Sequence, residues 1–219
     1  MDSRRQIIVV DDRRLVAEAL AAFLTGSGLI ARAVPSDELA GVVGGGVALV
    51  SLGTAGRGDQ VATLASACWR VVVYGAGDER QVAEAVSDGA VGFIPGGAGI
   101  DELAAEVEVI LSGRGGFNAD ERARLSELAA ETRRAEAGIA RGLASLTPRE
   151  CEVLDELLRG KRTSDIAADA FVSVTTVRNQ VQAILTKLNV HSQLEAVAAA
   201  RRHHWESLPS GSARTSAAV

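Results

Sequence analysis

The chain has 219 residues, 47% hydrophobic and 23% charged, with a formal net charge of -5; this is enough apolar material for one medium α/β domain and a second small one, so disorder is not expected. No apolar run approaches the roughly 20 residues that span a bilayer, and the opening MDSRRQIIVVDDRR has neither a signal-peptide core nor a cleavage site, so no membrane segment is expected and the cytoplasm is the expected compartment. Cys68 and Cys151 lie in apolar surroundings without metal-ligand spacing and are expected to be buried free thiols in a reducing compartment.

Runs rich in Val and Ile occur at Ile7 to Val10, Val47 to Leu52, Val71 to Tyr74 and Val91 to Ile94, with a further strand near Ile30 to Ala33. Helical patterns alternate with them at Leu15 to Leu24, Val61 to Ala67, Arg80 to Ser87 and Ile100 to Leu111. The alternation predicts right-handed crossovers and a doubly wound, five-stranded parallel sheet over residues 1–113. Asp11 and Asp12 follow the first strand, on the edge where such sheets carry ligands. With no third carboxylate beside them a tight metal site is not expected, and Arg13 and Arg14 are placed to neutralise the pair. Gly44 to Gly46, Gly96, Gly97 and Gly99 are either the sparse rim of a small-molecule pocket or ordinary loops.

Gly113 to Gly116 is a breaker cluster, followed by a polar helical stretch from Ala119 to about Leu143. Its apolar positions Leu125, Leu128, Ala135 and Ile139 are spaced as one stripe. A linker over 114–144 follows, either a connecting helix packed weakly on its neighbours or a short intermolecular coiled coil. Residues 145–204 form the second domain, and the small, polar tail over 205–219 is expected to be disordered.

Charge divides along the same boundary. Residues 1–144 carry 20 Asp and Glu against 14 Arg, whereas 145–219 carry 8 against 9 Lys and Arg. From Ser173 to Trp205 the only acid is Glu195, set against Arg178, Lys187, Arg201 and Arg202, a distribution that suits a nucleic-acid-binding module on an acidic chain.

Helix signals in that module are dense. Thr147-Pro148-Arg149-Glu150 is a capping box with Pro at the first helical position, and it opens a helix that Gly160 stops. A short helix from Ser164 to about Asp169 leads through Phe171-Val172 into a third helix, which Ser173 caps and which runs to about Leu188. A second capping box, Ser192 to Glu195, opens the last helix. A short helix, a tight turn and a longer helix with polar residues opposite its apolar face make a helix-turn-helix, whose recognition helix fits the major groove. On it Arg178, Asn179 and Gln182 are candidates for reading bases, since Arg bonds guanine, and Asn and Gln bond adenine, in bidentate fashion. Thr175, Thr176, Thr163, Ser164 and Lys187, near helix ends and flanks, suit phosphates.

The segment LTPRECEVLDELLRGKRTSDIAADAFVSVTTVRNQVQAILTKLNVHSQLEAVAAA, Leu146 to Ala200, closely resembles the LuxR-type helix-turn-helix of the NarL/FixJ response regulators. The resemblance implies a four-helix all-α domain, base contacts at Arg178, Asn179 and Gln182, and dimer pairing through the last helix at Gln193, Ala196, Val197 and Ala200. It departs at Thr163-Ser164, where the family's usual Asn-Lys is missing. It extends to a receiver domain, flavodoxin-like in fold, over Gln6 to about Gly113. IIVVDD then places Asp11 and Asp12 at the metal-binding acids. The same alignment puts Ser51 at the phosphorylated aspartate, Gly75 at the switch hydroxyl and Gly96 at the catalytic lysine. The chain's two lysines, Lys161 and Lys187, both lie in the C-terminal module. Acyl-phosphate chemistry needs a carboxylate nucleophile, a held cation and positive charge at the phosphoryl group.

A non-enzymatic regulator of promoter DNA is therefore expected, without metal or cofactor. It would act as a homodimer or as a heterodimer with a related regulator, independently of aspartyl phosphorylation, under the control of a partner protein, a ligand or its own abundance. The alternatives are a metabolite sensor with its ligand in the receiver pocket and, from another class, a metal-dependent hydrolase using Asp11 and Asp12.

Overall fold

A computed structural model describes residues 6–42, 44–53 and 57–205, and the chain divides into two compact units, Met1–Thr132 and Arg133–Val219. The first is built in the order β1 (Gln6–Val10), α1 (Arg14–Gly26), β2 (Ile30–Ala33), a 3-10 turn (Ser36–Gly41), β3 (Gly46–Ser51), α2 (Arg57–Ser66), β4 (Arg70–Gly75), α3 (Glu79–Asp88), β5 (Gly92–Pro95) and α4 (Ile100–Leu111). All strand pairs are parallel, in the order β2-β1-β3-β4-β5. The expected five-stranded parallel sheet is therefore present, although among the described residues its β2 to β3 crossover holds only the 3-10 turn.

Strands β1, β3 and β4 are buried almost throughout, as expected for central strands covered on both faces. Alternate residues serve opposite faces. Ile8, Val10, Ala48, Val50, Val71 and Val73 meet Val61 and Leu64 of α2 and Val82 and Val86 of α3. Ile7, Val9, Val47, Leu49, Val72 and Tyr74 meet Leu20 and Leu24 of α1 and Val107 and Ile110 of α4. Each buried Val, Leu or Ile among them contributes about 1.5–3 kcal/mol by burial.

Helix α5 (Ala119–Ala144) starts from Asn118, whose side chain accepts from the Glu121 N–H while Glu121 reaches back to the Asn118 N–H. It does not carry one apolar stripe. Leu125 and Ala129 are buried in the core of the first unit with Leu128 against them, Ala135 is exposed, and Leu143 with Ile139 belongs to the core of the second. Weak packing of this helix is therefore corrected: its ends are core elements. Cys68 is a further correction, being exposed with φ +66, whereas Cys151 is buried.

The second unit contains α6 (Pro148–Leu158), α7 (Thr163–Asp169), α8 (Val174–Leu188) and α9 (Gln193–Arg202), four helices in the expected order, with α7, a tight turn and α8 in a helix-turn-helix arrangement. The Thr147 hydroxyl accepts from the Glu150 N–H while Glu150 takes the Thr147 N–H, the reciprocal cap that starts α6. Ser173 caps α8 by accepting from the Thr176 N–H, and Asn189, with φ +53, ends it. At α9 the Ser192 hydroxyl accepts from the Glu195 N–H, but the Glu195 carboxylate takes the His191 N–H and the Ser192 hydroxyl instead of closing a capping box. Trp205 lies against this core and donates its indole N–H to the buried Asp155 at 2.8 Å, so it is a packed residue and not the start of the expected tail. Residues 206–219, the rest of that tail, lie outside the described residues. Among the described residues no helix is long and apolar enough to cross a membrane.

Candidate nucleic-acid interface

Helix α8 is two-faced. Val177, Val181, Ile184 and Leu188 are buried, and this 4-3-4 spacing is one side of a helix. Thr175, Arg178, Asn179 and Gln182 are exposed, with Arg178 and Gln182 one turn apart and Asn179 beside them. Among the described residues Arg178 makes no ion pair. The surface thus offers one free guanidinium and two carboxamides, a donor and acceptor set that matches base edges in the major groove.

The flanking residues behave differently from one another. Thr176 shares its hydroxyl with Ser173 at 2.8 Å, Thr163 is half-buried, and Ser164 is exposed with its hydroxyl on Asp165 at 3.2 Å. Lys187 is not left on an open flank: its ammonium donates to Glu150 Oε2 at 2.6 Å and to the Ser145 carbonyl at 3.1 Å. Burial opposes ionisation of Glu150, but the Lys187 ammonium and the Thr147 donor outweigh it and hold the carboxyl below its ordinary range. The last turn of α8 is thereby tied to the cap of α6.

The dimer face expected on α9 needs correction at two positions. Ala196 and Ala200 are fully buried in the core of their own unit, with Val197 packed at its margin. Alanine allows the close approach of α9 to α6 and α8, so this side is intramolecular. The outward side carries Gln193, Leu194, Ala198 and Arg201, with Leu194 79% exposed.

In the first unit, parallel register brings the ends of β1, β3 and β4 together. Val10 pairs with Val50 and Ser51 with Tyr74, so Asp11, Ser51 and Gly75 share one edge. Asp11 is buried and receives four donors: Arg13 N–H (2.9 Å) and Nε (3.1 Å) on Oδ1, and Arg13 Nη2 (3.0 Å) and the Tyr74 hydroxyl (2.9 Å) on Oδ2. Burial disfavours its charge, yet the Arg13 and Tyr74 donors hold it below the usual carboxylate value. Arg14 pairs with Glu18 instead of joining Arg13 at the acids, and Asp12 is exposed. Ser51 is buried and accepts from the Gly53 N–H at 3.3 Å. Gly96 donates to the Gly75 carbonyl at 2.9 Å, and a Cβ on it would stand 2.8 Å from both Ala76 N and Gly75 C, closer than real side chains come.

The two glycine groups do not rim one pocket. Gly46 begins β3 beside Gln6, whereas Gly96 follows the end of β5; in a parallel sheet these are opposite edges. The cleft on the Asp11 side, of 330 Å³, is lined instead by Asp11, Asp12, Arg14, Glu18, Pro35 and Glu38 among others. Among the described residues no three His, Cys, Asp or Glu side chains are grouped to hold a metal. Sequence reasoning missed the Tyr74 partner of Asp11, whose only signal was a lone tyrosine at the end of a strand.

Residues 144–200 match the model of the family described as bacterial regulatory proteins, luxR family. The glycerol metabolism activator of Pseudomonas putida is 31% identical over 131 residues, which is 59% of this chain and 59% of that protein. The transcriptional regulatory protein DesR of Bacillus subtilis is 40% identical over 60 residues, 27% of this chain and 30% of its own length. The chain thus spans less than two thirds of either relative. Among solved structures, the response regulator ChrA of a heme-sensing two-component system is 24% identical, with a TM-score of 0.43 over 91% of this chain and 98% of that one.

Proposed function

We propose that the chain is a sequence-specific, DNA-binding transcription regulator that inserts α8 into the major groove and acts without aspartyl phosphorylation. The observation that carries the first part is the exposed Arg178, Asn179 and Gln182 set on the face of α8 opposite its buried residues. The luxR family match over this module and the regulators similar to it support the same reading. Thr175, Thr176, Thr163 and Ser164 flank the groove as backbone contacts, and the open side of α9 around Leu194 serves dimer pairing. Residues 1–113, 114–144 and 145–204 act as receiver-like domain, connecting helix and DNA-binding domain.

Independence from phosphorylation is favoured by the saturated state of Asp11. Both its oxygens already accept two hydrogen bonds, which leaves little capacity for a metal ion. Ser51 supplies a hydroxyl where acyl-phosphate chemistry needs a carboxylate, and the backbone at Gly96 is too close for a lysine. Control then falls to a partner, a ligand or abundance. Selection of bound duplexes from a random pool, with the wild type beside Arg178→Ala, tests the DNA reading: a shared motif lost in the variant supports it, and no enrichment by the folded wild type rejects it.

A further inference from the structure

We propose that Arg162 is a phosphate contact, holding the DNA backbone where α7 crosses it; this rests on the DNA-binding reading above. The first observation is how the unit's cations are engaged. Arg149 pairs with Glu152, Arg159 with Glu156, Lys161 with Glu156 and Asp169, Lys187 with Glu150, and Arg202 with Glu136. Arg201 is directed to the Leu158 carbonyl at 3.5 Å. Among the described residues from Leu146 to Trp205, only the guanidinium groups of Arg162 and Arg178 lack such a partner, and both residues are exposed. Intramolecular carboxylates therefore neutralise most of the charge counted in the sequence; of the three arginines that no carboxylate neutralises, Arg201 is turned to a carbonyl, and Arg162 and Arg178 are the two left open to displace the counterions condensed on a duplex.

The second observation is local. Arg162 occupies the N-cap of α7, with φ -80 and ψ 155, and makes no side-chain capping bond. Arginine has no acceptor for the first helical N–H groups, and its charge sits at the positive end of the helix dipole. Asp165 returns to the Arg162 N–H at 3.4 Å, but nothing returns the favour to α7. Serine would be better here on both counts. A residue that breaks the local rule without a structural gain marks a site where function sets the choice. The third consideration is geometric: in a helix-turn-helix the helix before the recognition helix crosses the sugar-phosphate backbone. Arg162 stands at the start of that helix and Arg178 on the recognition helix, which divides positioning from base reading.

The test is binding of the full chain to a mixed-sequence duplex long enough for two half-sites, titrated across salt concentration. Arg162→Ser is expected to lower the slope of log affinity against log salt by about 0.9 for each bound chain, to weaken binding alike on different sequences, and to raise the thermal midpoint by restoring a cap. Arg162→Lys should keep the slope. An unchanged slope in Arg162→Ser, with the wild type binding normally, overturns the assignment and leaves the DNA-binding reading standing. So does a loss confined to particular sequences, because a phosphate contact carries no sequence information. A wild type that binds no duplex at any salt concentration overturns both.

Discussion

The Tyr74 hydroxyl donates to Asp11 Oδ2 at 2.9 Å across 63 residues of sequence, joining the ends of two strands that are not neighbours in the sheet. Burial of the ring, followed by the hydrogen bond to the Asp11 carboxylate, pushes the phenol well above its ordinary range. Because the chain has a single tyrosine, the tyrosinate absorbance reports this group alone.

In the folded protein, tyrosinate should not form near pH 10, where a free phenol titrates. A raised folded pKa gives stability that is complete below the unfolded value and is lost as the pH rises above about 10. Asp11 has the opposite sign: its lowered pKa gives stability present above about pH 4 and lost as the pH falls below it. Absorbance titration of the wild type and Asp11→Asn measures the coupling, and Asn should bring the phenol down toward its ordinary range.

Exposure to acetyl phosphate and Mg²⁺ should leave the mass of the intact protein unchanged. Gly96→Ala should cost about 1–3 kcal/mol in denaturant unfolding, since the added Cβ meets backbone at 2.8 Å. A phosphoryl adduct, or a Gly96→Ala protein of wild-type stability, would contradict the closed arrangement described for this edge.

Base reading can be resolved position by position. Arg178→Ala and Gln182→Ala should each relax preference at one or two adjacent base pairs, by about 1–3 kcal/mol of discrimination, as read from duplexes selected by each variant. Uniform weakening with the motif retained would move these side chains from bases to phosphates.

The C-terminal end of α5 should behave as part of the second unit. A Cβ on Gly142 would lie 2.3 Å from the Lys187 carbonyl oxygen, so α5 meets the end of α8 at a point where only glycine fits. Gly142→Ala should destabilise the unit by about 1–3 kcal/mol, although alanine gains about 1 kcal/mol in helix propensity. Its neighbours point the same way: Leu143 is core, and Glu136 contacts His203 at 2.6 Å. A fragment over 133–205 should therefore unfold at higher urea than one over 145–204.

Lys187 should prove structural. Lys187→Met keeps the aliphatic stem but leaves the buried Glu150 with only its capping bond, at a cost of about 1–3 kcal/mol. Glu150 is held below its ordinary value, so its contribution exists above about pH 4 and disappears as the pH falls below it. Glu150→Gln should flatten that acid limb in pH-dependent unfolding.

Strands and helices were legible from residues alone because their signals are local. The Val and Ile runs lie within a residue or so of β1, β3, β4 and β5, and Thr147-Pro148 and Ser173 mark helix starts because a cap is a contact over three residues. The polar face of α8 was legible for the same reason, since its buried residues are large and regularly spaced. Contacts between distant segments were not. Whether Ala196 and Ala200 face inward cannot be told from alanine, which is small enough for either side of a helix. Lys187 finds Glu150 from 37 residues away, Asp11 finds Tyr74 from 63, and Arg162 is distinguished from Lys161 only by which cation the surrounding carboxylates reach. Periodicity and capping are written into neighbouring residues, whereas the partner of a charge depends on which chain segments the packed core brings within a few ångströms.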